Sequence, residues 1–329
     1  MLNNKSILIT GGTGSFGQKF ISEALRKYKK IKRLIIFSRD ELKQSEMEKK
    51  FPIKKYKFLR YFIGDVRDYQ RIYHATKKVD IIVHSAALKQ VPATEYNPFE
   101  CIKTNVLGAQ NIINAAIENK VSKVVGLSTD KAVSPINLYG ASKLCADKLF
   151  TSAKNFIGSN KTIFSVARYG NVMNSRGSVI PLFLDQKKNN LFTVTDTNMT
   201  RFNITLKDAT ELVFWTIKNS IGGEIFVPKI PSYRILDLAK AISASCKIKI
   251  IGIRPGEKIH EELITSSESV NTLDLGKYYA ILSTTRGISL ESYKNKRNGK
   301  KLSKDFSYNS GTNPHFLSVS ELKKLLKKM

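Results

Sequence analysis

A glycine-rich turn near the start of the chain, TGGTGSFG at residues 10–17, limits the possible folds more than any other feature. The apolar run SILIT (6–10) precedes the turn, and the helical stretch FGQKFISEALRKY follows it. Glycines permit a tight turn with close backbone approach, and a helix N-terminus offers unpaired N–H groups to a pyrophosphate. The turn therefore predicts a strand–helix unit that binds a dinucleotide through Gly11, Thr13, Gly14, Ser15, Phe16 and Gly17.

Five more short apolar runs rich in β-branched residues follow in the first half of the chain: RLIIF (33–37), KFLRYFIGD (57–65), DIIVHSA (80–86), KVVGLST (123–129) and TIFSVARYG (162–170). Stretches of helical periodicity separate them, and strands that alternate with helices form a parallel sheet. We therefore expect a Rossmann-like, doubly wound α/β fold. Its ligands should bind beyond the carboxyl ends of the strands.

The second half of the chain has shorter elements separated by Gly, Pro and Asn. We predict a Rossmann domain over residues 1–174 and a smaller α/β substrate-binding lobe over 175–329. The run GEIFVP (223–228) is compatible with a strand that returns to the main sheet. Near the C-terminus, Ser318 and Glu321 have capping-box spacing and predict a final helix.

The net charge of +28, from 55 basic and 27 acidic residues, would suit a nucleic-acid partner, but the lysines are scattered without interleaved aromatics. We therefore predict a solvated basic surface that attracts an anionic small molecule, and no nucleic-acid partner. No run of about 18 apolar residues predicts a membrane segment, so we expect a cytoplasmic protein. Neither the three cysteines nor the four histidines show metal-ligand spacing, so we expect reduced thiols and no metal.

The segment FSRDELKQ at the end of the second predicted strand bears on cofactor choice. Ser38, Arg39 and Lys43 suit a 2′-phosphate, because a guanidinium pairs with phosphate in a fork, and they favour NADP. Asp40 keeps NAD as the alternative, since a carboxylate there would bind a free ribose hydroxyl. Asp65 in GDVRD would accept a bond from the adenine amine or cap the next helix.

The stretch STDKAVSPINLYGASK (128–143) carries the predicted catalytic groups. Tyr139 and Lys143 are four residues apart and share one face of a helix. A lysine ammonium and a positive nicotinamide would stabilise the tyrosine phenolate, so that it can take a hydroxyl proton during hydride transfer. Asp130 and Lys131 add an acid and a base, but side chains of neighbouring residues in extended backbone point apart, so the chain must turn there.

The chain resembles the extended branch of the short-chain dehydrogenase/reductase superfamily in four motifs that occur in the same order: the glycine turn, GDVRD, the ST of the fifth strand and YxxxK. The resemblance narrows to the soluble, inverting UDP-N-acetylglucosamine 4,6-dehydratases over eight motifs: ITGGTGSFG, FSRDELKQSEM, YFIGDVRD, ALKQVPATEYNPFECIKTNVLGAQN, LSTDKAVSPINLYGASK, RYGNVMNSRGSVIP, GGEIFVPKIPS and IGIRPGEKIHEEL. Enzymes of that family also epimerise C5, begin the pseudaminic acid pathway and form homo-oligomers, often hexamers.

The resemblance implies an internal redox cycle on UDP-N-acetylglucosamine. Tyr139 takes the proton of the 4-hydroxyl while NADP accepts the C4 hydride, which makes the C5 proton acidic. Lys131 removes that proton and Asp130 protonates the departing 6-hydroxyl. Hydride then returns to C6, and C5 is reprotonated from the opposite face, so the cofactor is regenerated. As a base Lys131 must be neutral, which predicts a depressed pKa.

The resemblance also implies the remaining contacts. Arg201 and Arg254 would hold the diphosphate, and Ser85 and Asn203 depart from the family pattern. Further cofactor contacts are implied at Glu41, Val66, Ser85, Lys89, Leu127, Ser128 and Val172. Further substrate contacts are implied at Lys89, Asn171, Arg176, Gly177, Ser178, Val179 and Thr195.

Three alternatives remain open. Retaining dehydratases of similar fold usually carry Asp-Glu where this chain has Asp130-Lys131, and they give the other C5 configuration. A UDP-sugar 4-epimerase needs neither group, because it never eliminates water. A non-enzymatic cofactor-binding scaffold or regulator would not need the catalytic residues, all of which are present.

Overall fold

The computed structural model describes residues 1–155, 157–158, 160–173, 178–283 and 289–327. The strands are β1 (Ser6–Thr10), β2 (Arg33–Ser38), β3 (Leu59–Ile63), β4 (Ile81–His84), β5 (Lys123–Thr129), β6 (Ile163–Tyr169), β7 (Asn171–Val172), β8 (Leu191–Val194), β9 (Thr200–Ile204), β10 (Glu224–Pro228), β11 (Ser232–Arg234), β12 (Lys247–Ile250), β13 (Glu262–Ile264), β14 (Thr272–Asp274), β15 (Tyr278–Leu282), β16 (Lys300–Lys301) and β17 (Tyr308–Asn309).

The α-helices are α1 (Ser15–Lys27), α2 (Glu41–Lys50), α3 (Tyr69–Ala75), α4 (Val91–Tyr96), α5 (Pro98–Ile102), α6 (Gly108–Glu118), α7 (Leu138–Ser152), α8 (Val179–Gln186), α9 (Leu206–Asn219), α10 (Ile235–Ile242), α11 (Ser266–Ser269), α12 (Leu290–Arg297) and α13 (Val319–Leu326). A π-helical segment, Lys103–Leu107, connects α5 to α6. Short 3₁₀-helices cover Asp130–Ala132, Ala153–Asn155 and Lys187–Asn189.

The central sheet has the strand order β16-β14-β15-β10-β6-β5-β4-β1-β2-β3. From β10 to β3 neighbouring strands are parallel, whereas β15, β14 and β16 extend the sheet in antiparallel fashion. Each apolar run predicted as a strand coincides with one of β1 to β6 to within two residues at each end, and the predicted doubly wound fold is confirmed. The order reverses between β1 and β4, which places a ligand crevice beyond the carboxyl ends of those strands.

A second, smaller hydrophobic core lies outside the main sheet and includes Phe183, Phe192, Leu238 and Leu322. Smaller sheets form beside the main one among the described residues: β11-β9-β7, β12-β8 and β13-β17. The segment GEIFVP does return to the main sheet, since β10 pairs with β6. The predicted boundary at residue 174/175 itself stays a prediction.

The C-terminal helix α13 begins as its spacing predicts, because Ser318 and Glu321 form both hydrogen bonds of a capping box. Within the part of the chain that the structure describes, every helix is too short or too polar to cross a bilayer.

A buried ionic network connects β6, α7 and α11. The Arg168 side chain is 1% exposed, and its guanidinium lies 3.3 Å from an Asp147 Oδ atom and 3.0 Å from a Glu268 Oε atom. Asp147 also accepts a hydrogen bond from Ser128 Oγ. Burial raises the pKa of the Asp147 carboxyl, and the Arg168 and Lys143 charges act in the opposite direction. Through Arg168 of β6, the network therefore links helix α7 to helix α11.

Replacing Arg168 with Met is expected to lower the free energy of unfolding by about 3 kcal/mol, because it leaves two carboxylates without their buried partner. Urea denaturation followed by circular dichroism measures this loss. Arg26→Met is the control, since that arginine is 62% exposed beside Glu23, and little change is expected. A loss for Arg168→Met no larger than for the control would show that the network contributes nothing to stability.

Candidate active site

A cavity of about 620 Å³ opens at the carboxyl ends of the parallel strands, where β1, β2, β4, β5 and β6 terminate. It is lined by most of the residues predicted to bind the cofactor: Gly11, Thr13, Gly14, Ser15, Phe16, Gly17, Ser38, Arg39, Asp40, Lys43, Val66, Ser85, Lys89, Leu127, Ser128, Tyr139, Lys143 and Val172. Glu41 and Asp65 are outside this set. The cavity is therefore one continuous crevice from the glycine turn to the YxxxK pair.

The glycine turn brings α1 against the end of β1 so closely that side chains would not fit. A Cβ added to Gly17 would lie 2.3 Å from the carbonyl oxygen of Gly12, and Gly11 has a φ of +63°. Helix α1 starts after Gly14 without a side-chain cap, so its first N–H groups face the cavity region with no capping side chain. This arrangement fits the pyrophosphate of a dinucleotide.

The end of β2 presents both groups that bear on cofactor choice. Asp40 caps α2 by accepting from the Lys43 backbone N–H at 3.0 Å, and its carboxylate also contacts the Lys43 ammonium. These bonds lower the pKa of Asp40. Arg39 is half-exposed and lies 3.6 Å from Asp65. Asp40 and Arg39 thus both line the cavity, Asp40 paired with Lys43 and Arg39 close to Asp65.

Asp65 does not cap the next helix. Its carboxylate accepts from the Arg67 backbone and guanidinium, while Asp68 caps α3. The alternative role, a contact with adenine, stays a prediction.

The chain turns at Asp130, as two neighbouring catalytic side chains require. Residues Asp130–Ala132 form a 3₁₀-helix, and the Thr129 side chain accepts from the Lys131 backbone N–H. Helix α7 packs on this turn so closely that a Cβ on Gly140 would lie 2.2 Å from the Lys131 carbonyl oxygen. The turn is therefore held against the helix that carries Tyr139.

Lys131 lines the cavity, whereas Asp130 lies fully buried behind the wall. The Lys131 ammonium donates to Asp130 Oδ1 and to Asn171 Oδ1, both at 3.1 Å, and lies 3.2 Å from Glu261 Oε1. Asp130 Oδ1 also accepts from Thr129 Oγ1. Among the described residues Asp130 Oδ2 has no hydrogen-bond partner, and a Cβ on the cavity-lining Gly170 would lie 3.3 Å from it.

These contacts fix the directions of the pKa shifts. Burial raises the pKa of Asp130, which favours its protonated form. Burial alone would lower the pKa of Lys131, but the Asp130 and Glu261 carboxylates outweigh it and raise that pKa above its ordinary value. The expected depression of the Lys131 pKa is therefore wrong for the ligand-free protein, because acidic neighbours rather than basic ones surround the ammonium.

Tyr139 and Lys143 both line the cavity from the first turns of α7. Burial raises the pKa of Tyr139 to about 12, although Lys131 acts in the opposite direction. The Lys143 ammonium donates to the Leu127 carbonyl at 2.6 Å, and burial lowers its pKa. Without a cofactor the phenol form of Tyr139 is thus favoured, and a positive nicotinamide would be needed to stabilise the phenolate.

Of the predicted substrate contacts, Lys89, Asn171 and Ser178 line the cavity. Arg201 is buried, and it donates to the carbonyls of Thr200 and Ile259. Arg254 is exposed and lies 3.8 Å from Glu257. Val179 packs against the second core, and Thr195 donates to the Met199 sulfur. Arg176 and Gly177 lie outside the described residues.

Sequence reasoning missed several residues that line the cavity: Phe37, Gly64, Ala86, Ala87, Gln90, Thr104, Thr129, Tyr169, Gly170 and Leu206. Seven of the ten lie within three residues of the end of a parallel strand of the main sheet, so their position near a strand end was a usable signal. Glu261 was also missed. It comes from the second half of the chain, and no local pattern connects it to Lys131.

The chain matches a family model and is similar to proteins named as nucleotide-sugar enzymes. Residues 7–283 match the family model described as polysaccharide biosynthesis protein. An inverting UDP-N-acetylglucosamine 4,6-dehydratase of Campylobacter jejuni subsp. jejuni serotype O:23/36 (strain 81-176) is 50% identical over 98% of this chain and 97% of its own. A protein of Rickettsia bellii (strain OSU 85-389) named UDP-glucose 4-epimerase is 48% identical over 89% of this chain and 87% of its own.

Solved structures share the fold. Pen from Bacillus thuringiensis is 41% identical, with a TM-score of 0.90, over 100% of this chain and 98% of its own. The dTDP-glucose 4,6-dehydratase DesIV from Streptomyces venezuelae, solved with NAD bound, has a TM-score of 0.67 at 20% identity, over 77% of this chain and 86% of its own. The second likeness concerns the fold alone.

Proposed function

This chain belongs to the polysaccharide biosynthesis protein family, and from that premise we propose that it is a UDP-N-acetylglucosamine 4,6-dehydratase that inverts C5. One observation carries the proposal. The Asp130–Lys131 turn and the Tyr139–Lys143 pair meet at a single cavity that also contains the dinucleotide-type glycine turn. A 4-epimerase needs the tyrosine and the cofactor but has no use for an acid and a base beside them.

The first half of the proposed reaction belongs to Tyr139. Its phenolate removes the proton of the sugar 4-hydroxyl, and Lys143 on the same helix face supports the negative charge. When bound, the nicotinamide cofactor would accept the hydride of C4 and return it to C6. Oxidation at C4 makes the C5 proton acidic, which prepares the elimination.

The elimination belongs to Lys131 and Asp130. Lys131 lines the cavity and takes the C5 proton, while Asp130, whose pKa is raised by burial, supplies a proton to the departing 6-hydroxyl. Oδ2 is the Asp130 oxygen to carry that proton, because Oδ1 already accepts from Thr129 and Lys131. Asp130 lies behind the wall next to the cavity-lining Gly170, so the 6-hydroxyl must approach Asp130 from the side of that glycine.

Incubation with UDP-N-acetylglucosamine in deuterated water, followed by proton NMR, tests the function. The expected product is a 4-keto-6-deoxy sugar with deuterium at C5 and L-configured ring couplings. A D-configured product would indicate a retaining dehydratase. The relatives named UDP-glucose 4-epimerase make that activity the second candidate. UDP-N-acetylgalactosamine formed without loss of water would establish it instead.

The proposed cofactor is NADP, because Ser38, Arg39 and Lys43 line the cavity where a 2′-phosphate would lie. Changing Arg39 to Ala is expected to raise the Kd for NADP about tenfold and to leave the Kd for NAD little changed, since one charge-assisted contact is lost. Isothermal titration with both cofactors measures this. Lys57→Ala, a lysine outside the cavity lining, is the control. Equal weakening for both cofactors would mean that Arg39 does not read the 2′-phosphate.

Two finer parts remain proposals. We place the product in the pathway to pseudaminic acid or a related surface sugar, and we expect the protein to form a homo-oligomer, on the resemblance alone. Sedimentation of the purified protein decides the second point.

A further inference from the structure

Glu261 reaches the catalytic turn from a distant part of the chain and is held there firmly. It directly precedes β13, its backbone N–H donates to Ser310 Oγ, and its carbonyl accepts from the Ser310 backbone N–H. Ser310 in turn exchanges a hydrogen bond with Thr200 Oγ1. The Glu261 side chain is only 3% exposed, and Oε1 lies 3.2 Å from Lys131 Nζ. A carboxylate is thus fixed beside the proposed base.

The Lys131 ammonium has three N–H donors, and three acceptors surround it: Asp130 Oδ1, Asn171 Oδ1 and Glu261 Oε1. An ammonium in this arrangement has no lone pair with which to remove the C5 proton. One of its protons must therefore leave before Lys131 acts as a base. The arrangement also shows where that proton can go.

Two of the three acceptors are poorly suited to take the proton that leaves the Lys131 ammonium. The Asn171 amide oxygen is only weakly basic. Asp130 is the proposed acid, so it must already carry a proton when elimination begins. Glu261 remains, since the Lys131 charge lowers its pKa against the effect of burial and keeps it ionised in the free protein. Its second oxygen, Oε2, is buried and has no hydrogen-bond partner among the described residues.

We propose that Glu261 is a positioning residue for the dehydration: it fixes the Lys131 amine at the cavity wall and accepts one ammonium proton when substrate binds. The inference rests on the proposed function. Proton balance is simple, because Lys131-NH₃⁺ and the Glu261 carboxylate become Lys131-NH₂ and a carboxylic acid. Lys131 then takes the C5 proton, and Asp130 releases its own to the leaving hydroxyl as water. A bound sugar that excludes water would favour this neutral pair, since desolvation disfavours the charged form of both groups.

Other charged and titratable groups face this pair and belong in any account of its pH dependence. They act on Lys131 or Glu261 from several elements: Asp130 from the same turn, Lys89 from the segment after β4, Tyr139 from α7, Arg201 from β9, Tyr233 from β11 and Lys258 from the segment before β13. Arg201 Nε lies 3.9 Å from Glu261 Oε1. Two carboxylates contact Lys131. Asp130 is the proposed acid, whereas Glu261 has no role in the reaction as described so far.

Glu261→Gln tests the proposal, because glutamine keeps the shape but cannot take the proton. At neutral pH we expect turnover of UDP-N-acetylglucosamine to fall about 100-fold with KM little changed. Oxidation at C4 should persist, so reduced nicotinamide should accumulate after rapid mixing. Turnover of the variant should rise about tenfold per pH unit on the alkaline side, because Lys131 must then lose its proton to solvent and its pKa is no longer raised by Glu261. The elimination step of the wild type, measured apart from C4 oxidation, should be nearly flat there.

Glu262→Gln is the matched control, since this neighbouring glutamate is half-buried and does not contact Lys131. Wild-type turnover and pH profile in Glu261→Gln would overturn the inference, and so would loss of C4 oxidation together with dehydration in a folded variant. If Glu261→Gln does not fold, Glu261→Asp is expected to lower turnover about tenfold with the wild-type pH profile, and unchanged turnover would overturn the inference. A wild-type protein that forms no dehydrated sugar refutes the proposed function instead, before Glu261 is tested.

Discussion

Replacing Lys131 with alanine is expected to lower the rate of UDP-N-acetylglucosamine dehydration about 1,000-fold, because the C5 proton then has no base at the cavity wall. Oxidation at C4 should remain, since Tyr139 and Lys143 are untouched. The measurement combines NMR of the sugar product with rapid-mixing absorbance of the reduced nicotinamide. We expect the reduced cofactor to accumulate and deuterium to be absent from C5, which would assign Lys131 to the elimination.

The control for this experiment is Lys188→Ala, because that side chain is 77% exposed, pairs with Asp185 and is not part of the cavity lining. It should match the wild type. A Lys131→Ala variant that still dehydrates the sugar would place the base elsewhere. A variant that forms UDP-N-acetylgalactosamine as fast as the wild type would instead identify a 4-epimerase, which has no elimination step.

The Tyr139→Phe variant is expected to lose about 1,000-fold in turnover at an earlier step, because the 4-hydroxyl proton has no acceptor. In contrast to Lys131→Ala, no reduced nicotinamide should form. Burial raises the pKa of Tyr139 to about 12, so the phenolate is scarce at neutral pH unless the bound cofactor lowers that value. C4 oxidation by the wild type should therefore rise with pH, and it should level off only above the pKa in the complex.

Tyr96→Phe serves as the control for this variant, since the Tyr96 side chain is 87% exposed. Near-normal formation of reduced nicotinamide in Tyr139→Phe would contradict the assignment and point to another base. Tyr139→Phe should unfold at the same denaturant concentration as the wild type, whereas Lys131→Ala should unfold at a lower one, because it leaves the Asp130 and Glu261 carboxylates without their buried partner; circular dichroism shows whether both variants are folded before the assay. Together they separate the two halves of the proposed reaction by whether the reduced cofactor appears.

The strands of the Rossmann sheet were predictable because each leaves a local mark. A parallel strand is covered by helices on both faces, so its sequence is a nearly continuous apolar run, as in RLIIF and KVVGLST. Helix α1 had its glycine turn, and α13 had the Ser318–Glu321 capping box. The shorter β-elements of the second half have no such marks, and their pairing depends on contacts between distant segments.

Much of the cavity was predictable for a related reason, since parallel strands end at the same edge of the sheet. Ser38, Ser85 and Ser128 are far apart in the chain, yet each lies at or next to a strand end and lines the cavity. Arg201 shows where prediction of site residues from the sequence fails. Its residue type suits a diphosphate, but the structure surrounds its guanidinium with the carbonyls of Thr200 and Ile259, and its role in binding substrate stays a prediction.

The sequence by itself determined the doubly wound sheet, the glycine turn and the presence of Asp130, Lys131, Tyr139 and Lys143 at one strand end, because periodicity and spacing are local properties. Only the tertiary structure decided the charge state of Lys131. Its pKa depends on the groups within a few ångströms, and one of them, Glu261, lies far along the chain, directly before β13. A Coulomb interaction depends on distance in space, which residue spacing does not reveal.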